Sequence, residues 1–423
     1  MSASAPLGLV LPGDLDGPIR PRLEFAFRVA CGWLGRKAIL LQEDTEPDFP
    51  FVRYGTDIPA LYRPLCEPLR SIPIHGADSA GRADNLGEIF SWISSEIEHY
   101  QPDDRWGRKL YSGSLQHRTG LGPHEVPALD SAASLFPQVP MPNVRLIAPT
   151  HDVDFLPTSR CDVLVRGMKN SAIHLRAKDP IGAAAVFIKT LLTLAGQQHF
   201  RPLSHWVETE ARYGFRGSYY FITENSHDKD GNYTTAQAVQ SAGVLSDLGA
   251  EVGIHGSWSS LDTETGLQAQ YEHLSESMGG RQHYLRQGGP NVLTRSLLRT
   301  GAEYDSTLGW PDSPGFRHGT SLPFPLYDFD SEQATEILEI PLVLMDVSLN
   351  KKNMDLVDHI LRSNLPSAFA VLWHDTVLSG MQHPRFAGSL YWELPQRSDH
   401  HWRPASEIAQ AFRETFKVAG VWT

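Results

Sequence analysis

The sequence predicts an α/β protein: a smaller N-terminal α+β region followed by an incomplete parallel barrel. Three observations carry this expectation. Beyond residue 143, apolar strand-length runs alternate with helical stretches, the pattern of βα units around a parallel sheet. About seven such strands occur, and several end in His, Asp or Arg, as strands do where they open onto the functional rim of a barrel. Neither a Gly-x-Gly-x-x-Gly turn nor a Walker loop is present, which counts against a doubly wound nucleotide-binding sheet.

The elements follow in order. Pro21–Leu34 reads as a helix and Ala38–Leu41 as a short strand. A loop rich in Gly, Asp and Ser, Gly76–Gly87, leads into a helix over Leu86–Tyr100, where Ile89, Phe90, Ile93 and Ile97 recur near the 3.6-residue period. Asp103–Ser114 is polar and turn-rich. The run Phe136-Pro-Gln-Val-Pro-Met-Pro142 is stiff enough to mark a boundary, giving an accessory domain over 1–142 and a barrel over 143–423. The barrel's strand candidates are Val144–Pro149, Arg216–Thr223, Glu251–His255, His283–Leu285 with its neighbours, Glu303–Thr307, Glu336–Leu344 and Ala368–His374. Helices are expected at Ile181–Ala195, Ser204–Tyr213, Thr235–Asp247 and Thr263–Met278.

Composition narrows the function classes. With 423 residues and 41% hydrophobic content the chain can bury a large core. A net charge of −12 offers no basic stripe for phosphate backbones, so no nucleic-acid partner is expected. Cys31, Cys66 and Cys161 are odd in number and far apart, which predicts buried small hydrophobes and no disulfide framework. No apolar run reaches the length of a membrane span, and the first residues lack a basic leader, so a cytoplasmic protein is expected. The oligomeric state is not legible. Ten tryptophans and 30 prolines fit a loop-rich enzyme with a carbohydrate-like substrate.

The chemistry concentrates at strand ends. Arg145–Phe155 is an apolar run closing on Asp152 and Asp154. Residues two apart share one face of a strand, so both carboxylates project together from its C-terminal end. Such a pair suits a site where one acid binds a cation and the other takes up a proton. His255 ends a second strand before a turn-permitting Gly256, a natural place for a metal ligand. His374 ends the last strand as a candidate proton donor. Arg281 and Arg286 lie in a dense polar segment, where an arginine could hold one carboxylate ionised. Asp305 and Arg317 are candidates for orienting the site or the substrate. His151, between the two acids, points to the opposite face and reads as structural. His199, His205, His227, His273, His383, His400 and His401 read as surface residues.

Together Asp152 and Asp154, His255, the Arg281–Arg286 segment, Tyr304–Thr307 and Leu372-Trp373-His374 resemble, in order and rough spacing, the motifs of the polysaccharide deacetylase superfamily, the NodB-homology or carbohydrate esterase family 4 proteins. The likeness covers about residues 143–380. The stretches around Glu88–Ile93 and Gly107–Lys109 are more weakly similar to an accessory N-terminal domain carried by a bacterial subgroup. The resemblance implies a distorted (β/α)7 barrel and metal-assisted hydrolysis of an acetamide on an amino sugar. It implies Asp152 as general base, Asp154 and His255 as metal ligands, Arg281 or Arg286 as the arginine that orients the base, and His374 as general acid. The metal is Zn2+ foremost, with Co2+, Mn2+ or Ni2+ as alternatives, and it polarises the carbonyl and acidifies bound water. One position departs from the pattern: the second His of His-x-x-x-His falls on Ser259, and a hydroxyl is a poor zinc ligand. Three arrangements stay open. His283 or His151 completes the shell; or the metal is held weakly with extra water; or the site has none, as in allantoinase-like members.

The expected activity is therefore that of a C–N hydrolase removing an acetyl group from an N-acetylated sugar, glycolipid or sugar-bearing metabolite. Without an export signal, a soluble or lipid-linked precursor fits better than an assembled wall polymer. The alternatives are a hydrolase of another amide, a cyclic ureide or an O-acetyl ester on the same fold, and a catalytically silent glycan-binding protein.

Overall fold

Three short strands, β1 (Leu7–Val10), β2 (Ala38–Leu41) and β3 (Phe51–Arg53), form a small parallel sheet in the order β2-β1-β3. The structure is a computed structural model that describes residues 5–13, 17–45, 47–54, 84–98, 101–156, 159–196, 201–378 and 385–422. Cys66, Tyr100, His199, His383 and residues 76–83 of the Gly-rich loop lie outside the described residues. The helix Ile19–Trp33 buries Leu23, Phe27, Ala30 and Trp33. The helix expected over 86–100 stops at Ile93, because Ser95 takes a left-handed φ of 63°, and Glu96–Glu98 then form a separate 3-10 turn.

The large sheet contains β4 (Arg145–Val153), β5 (Ser218–Phe221), β6 (Glu251–Gly256), β7 (Gly279–Gln282), β8 (Tyr304–Asp305), β9 (Phe324–Asp328), β10 (Gln333–Glu339), β11 (Leu342–Met345), β12 (Ser367–Leu372) and β13 (His401–Trp402). It curls in the order β11-β12-β4-β5-β6-β7-β8-β10-β9, with β13 added against β4. All pairings are parallel except β9 with β10. A parallel bridge between Gly309 and Leu342 brings the segment after β8 back to β11.

Two strand readings need correction. The expected strand Glu336–Leu344 is two strands, because Pro341 has no N–H to give a ladder; β10 pairs with β8 while β11 pairs with β12. His283–Leu285 is a 3-10 turn after β7, with Tyr284 and Leu285 at positive φ of 59° and 56°. The helix expected over 263–278 covers only Gly266–His273, since threonines near its start favour turns over helix interior. Thr235–Asp247 forms as expected, closed by a Thr234–Gln237 capping box.

One apolar core runs from Leu7 to Ala419 through both regions. Trp33 donates from Nε1 to the carbonyl of Pro323 at 2.8 Å. Arg317, expected to orient substrate, is instead buried in a bidentate pair with Glu98 at 2.7 and 2.6 Å. That pair ties the N-terminal region to the sheet. Cys31 is buried as expected, but Cys161 is exposed. His400, read as a surface residue, is buried on Ser367 Oγ at 2.8 Å because the β13 segment lies against β4.

Candidate metal centre and active site

Strand register assembles the site. β4 faces β5 with Asp152 opposite Tyr220, β5 faces β6, and His255 on β6 stands opposite Arg281 on β7. The approach of β6 and β7 requires Gly280, where any Cβ would collide with the carbonyl oxygen of Ile254. On the other side, β12 pairs with β4 through Leu372 and Thr150, which carries His374 to the level of the acids. Asp152, Asp154, His255, Arg281, His283 and His374 thus meet at one rim.

Arg281 and Asp152 are both buried, and the guanidinium donates from Nη1 to Asp152 Oδ1 at 2.9 Å. Its remaining groups are fixed by Ser306, Nε on the carbonyl at 2.7 Å and Nη2 on Oγ at 3.1 Å. Burial alone would raise the Asp152 carboxyl; His255, Arg281 and His374 together hold it below the usual carboxylate range. Asp154 is also held low against burial, by His283, His255 and His374.

The histidines are oriented by what their second nitrogens do. His255 Nδ1 donates to the carbonyl of Arg281 at 3.0 Å, and His283 Nε2 donates to the carbonyl of Lys229 at 2.9 Å. Carbonyls only accept, so these partners assign both tautomers. The lone pairs that remain, on His255 Nε2 and His283 Nδ1, face each other at 2.8 Å. Asp154 Oδ1 lies 3.4 Å from both nitrogens and is buried with no hydrogen-bond donor. Three electron-pair donors converging on one point repel unless a cation stands among them, and backbone carbonyls behind histidines are a usual outer shell of metal sites. Two imidazoles and a carboxylate fit Zn2+ and neighbouring divalent ions.

His374 stands opposite this triad. Its backbone N–H and Nδ1 donate to the two oxygens of buried Asp346 at 2.7 and 2.8 Å, and Nε2 looks toward Asp154 Oδ2 at 3.7 Å. Burial would lower its pKa; Asp346, then Asp154 and Asp152, overcome burial and push it up to about 10. The site opens into a cavity of about 490 Å³ whose other wall includes Trp106, Arg108, Arg166, Lys169 and Tyr284. A cavity of about 640 Å³ at the N-terminal ends of β5 and β6 contains no such cluster among the described residues.

The remaining sequence candidates fall elsewhere. Arg286 bonds the Trp258 carbonyl and pairs with Asp262, since the left-handed turn at Tyr284 and Leu285 swings the chain off the rim. Ser259 pairs with Ser226 Oγ at 3.1 Å, because a turn and not a helix follows His255; His283 is instead the third member of the candidate triad. His151 is tied on the far face of β4 to Glu210 and the Trp373 carbonyl, both at 2.7 Å, and completes no metal shell. Asp305 is buried beside Glu339, where burial raises both carboxyls. Its Oδ2 accepts from the Thr307 N–H at 2.8 Å, and it does not line the cavity. Asp346, Trp106 and Arg108 were not singled out from sequence. Asp346 does end β11 as the other functional residues end their strands, and that was the available signal.

Among known proteins, no family model and no curated protein matches this chain.

Proposed function

We propose that this protein is a metal-dependent hydrolase that releases acetate from an N-acetylated sugar or sugar-bearing molecule. The observation that carries it is the pair of facing imidazole lone pairs beside the undonated Asp154 oxygen, flanked by a base and an acid in complementary states. Asp154, His255 and His283 would hold the ion. A divalent cation there supplies Lewis acidity, easing deprotonation of water and charge build-up on an amide carbonyl. Asp152, kept ionised by Arg281, accepts a proton from the attacking water. His374, kept protonated by Asp346, donates to the amide nitrogen as the C–N bond breaks, giving amine and acetate. Trp106 and Tyr284 offer aromatic faces for a sugar ring. Seven successive parallel strands, β11, β12 and β4 to β8, with the Gly309–Leu342 bridge between the ends of that run, support a distorted (β/α)7 barrel.

The test uses chelated protein reloaded with Zn2+, Co2+ or Mn2+ and assayed for amine release from N-acetylhexosamine derivatives. O-acetyl esters and cyclic ureides run beside them as different leaving groups. Amine release should require metal, vanish in His283→Ala with loss of bound metal, and vanish in Asp152→Asn with metal retained. Fully loaded protein that cleaves no acetamide sinks the proposal.

A further inference from the structure

The connection from β4 to β5 carries a helical hairpin, Arg160–Arg176 and Pro180–Leu194. Its two helices meet closely: a Cβ on Gly167 would strike Thr190, and one on Gly182 would strike His174. The large apolar residues point outward. Ile181, Ala184, Phe187, Ile188 and Leu191 recur at three- and four-residue spacing on one face, and all are exposed, Ile181 at 78% and Ile188 at 55%. Leu164, Val165, Met168 and Leu175 are exposed on the first helix. Half of the exposed large hydrophobics among the described residues therefore lie on this hairpin. An ordinary surface helix turns such a stripe to the core; here it is turned away.

The charge is also inverted. Arg160, Arg166, Lys169, Arg176, Lys178 and Lys189 stand against only Asp162 and Asp179, within a chain of net charge −12. An apolar stripe flanked by cations matches an anionic lipid surface. The same hairpin forms a wall of the catalytic cavity through Arg166, Lys169 and Asn170. Asn170 is 1% exposed, yet its Nδ2 has no hydrogen-bond partner, and neither has the buried Nε of Arg166. Buried donors without acceptors, beside a lysine, suit an anionic oxygen of a ligand.

We infer that the hairpin seats the protein on an anionic membrane surface, and that the acetamide substrate is the head group of an anionic lipid held there. Docking stands on the hairpin alone, whereas the substrate class rests on the hydrolase reading above. The phosphate or carboxylate of such a lipid would lie against Arg166 and Asn170, with its acetamide at Asp152 and His374.

The full chain is sedimented with vesicles of phosphatidylglycerol or of phosphatidylcholine. Phosphatidylglycerol should carry it down, and added salt should weaken the binding. Phe187→Asp/Ile188→Asp, and separately Met168→Asp on the other helix, should weaken it at least tenfold with unchanged thermal melting and metal content. The double variant should cleave a soluble acetamide as well as wild type and a vesicle-borne one at least tenfold more slowly. Wild type that stays in the supernatant overturns docking. So does a solution dimer that the double variant dissolves, since the stripe is then a contact between copies. Equal loss on soluble and vesicle-borne acetamides overturns the substrate class. Vesicle binding with no acetamide cleaved leaves docking in place and removes the hydrolase reading instead.

Discussion

Arg281→Met tests whether a buried ion pair sets the state of the proposed base. Arg281 is 1% exposed and Asp152 3%, so neither charge has water to fall back on. At 2.9 Å and an effective dielectric near 20, their attraction is about 6 kcal/mol, most of it offset by desolvation. Removing the guanidinium leaves Asp152 buried without its hydrogen-bonded partner, with only His255 Nε2 beside it at 3.6 Å, which costs about 3–5 kcal/mol of stability. Asp152→Asn removes the stranded charge, so the double variant should be less destabilised than the sum of the singles by about 2–3 kcal/mol. The assay is urea unfolding of all four proteins at pH 7 with chelator present, so that metal binding adds nothing to the cycle. Activity follows separately: with only His255 and His374 left to oppose burial, the Asp152 carboxyl rises, and kcat of Arg281→Met should fall about 10²–10⁴-fold. Single variants whose costs add within about 0.5 kcal/mol would refute the coupling.

Ser259→Ala should leave zinc affinity within about twofold, whereas His283→Ala should lower it at least 100-fold by calorimetry, beyond the loss typical of outer-shell changes. Arg317→Met strands buried Glu98 and should cost about 3–5 kcal/mol in denaturant unfolding. Gly280→Ala should cost at least about 2 kcal/mol and loosen the metal site with it, because parting β6 from β7 parts His255 from His283. His318, on Ser95 Oγ at 2.8 Å, has its pKa lowered by burial to about 4 against 6.5. The unfolded chain therefore binds the extra proton between those values. Stability from this group is full above pH 6.5 and is lost as pH falls through about 4, up to about 3 kcal/mol. His318→Gln should flatten that part of the pH–stability curve.

The strand-end residues were legible because their chemistry and their geometry coincide locally. Asp152 and Asp154 are two apart on one strand, and His255 and His374 each follow an apolar run, so each could be placed at a rim without knowing its neighbours. What failed was anything decided by a residue distant in sequence. Arg281 and Arg286 look equivalent in one short segment; the left-handed turn at Tyr284 and the position of Ser306 separate them. Arg317 resembled a substrate anchor until Glu98, more than 200 residues earlier, took both of its faces. His400 looked exposed because nothing nearby announces a strand as short as β13.

The third ligand shows the same limit and also how it is overcome. A His-x-x-x-His spacing presumes that the chain after the first His returns over it, whereas here Ser257–Ser260 close a turn that carries Ser259 away. The candidate third ligand comes from the turn after the neighbouring strand, since His255 is level with Arg281 and His283 lies two residues further along. Arg281 and His283 thereby become one functional unit. Arg281 fixes Asp152 through its side chain and fixes the tautomer of His255 through its carbonyl, while His283 faces the nitrogen so exposed. The proposed base and the candidate metal site are coupled through a single residue, and a change at Arg281 that shifts its backbone as well as its charge should disturb both.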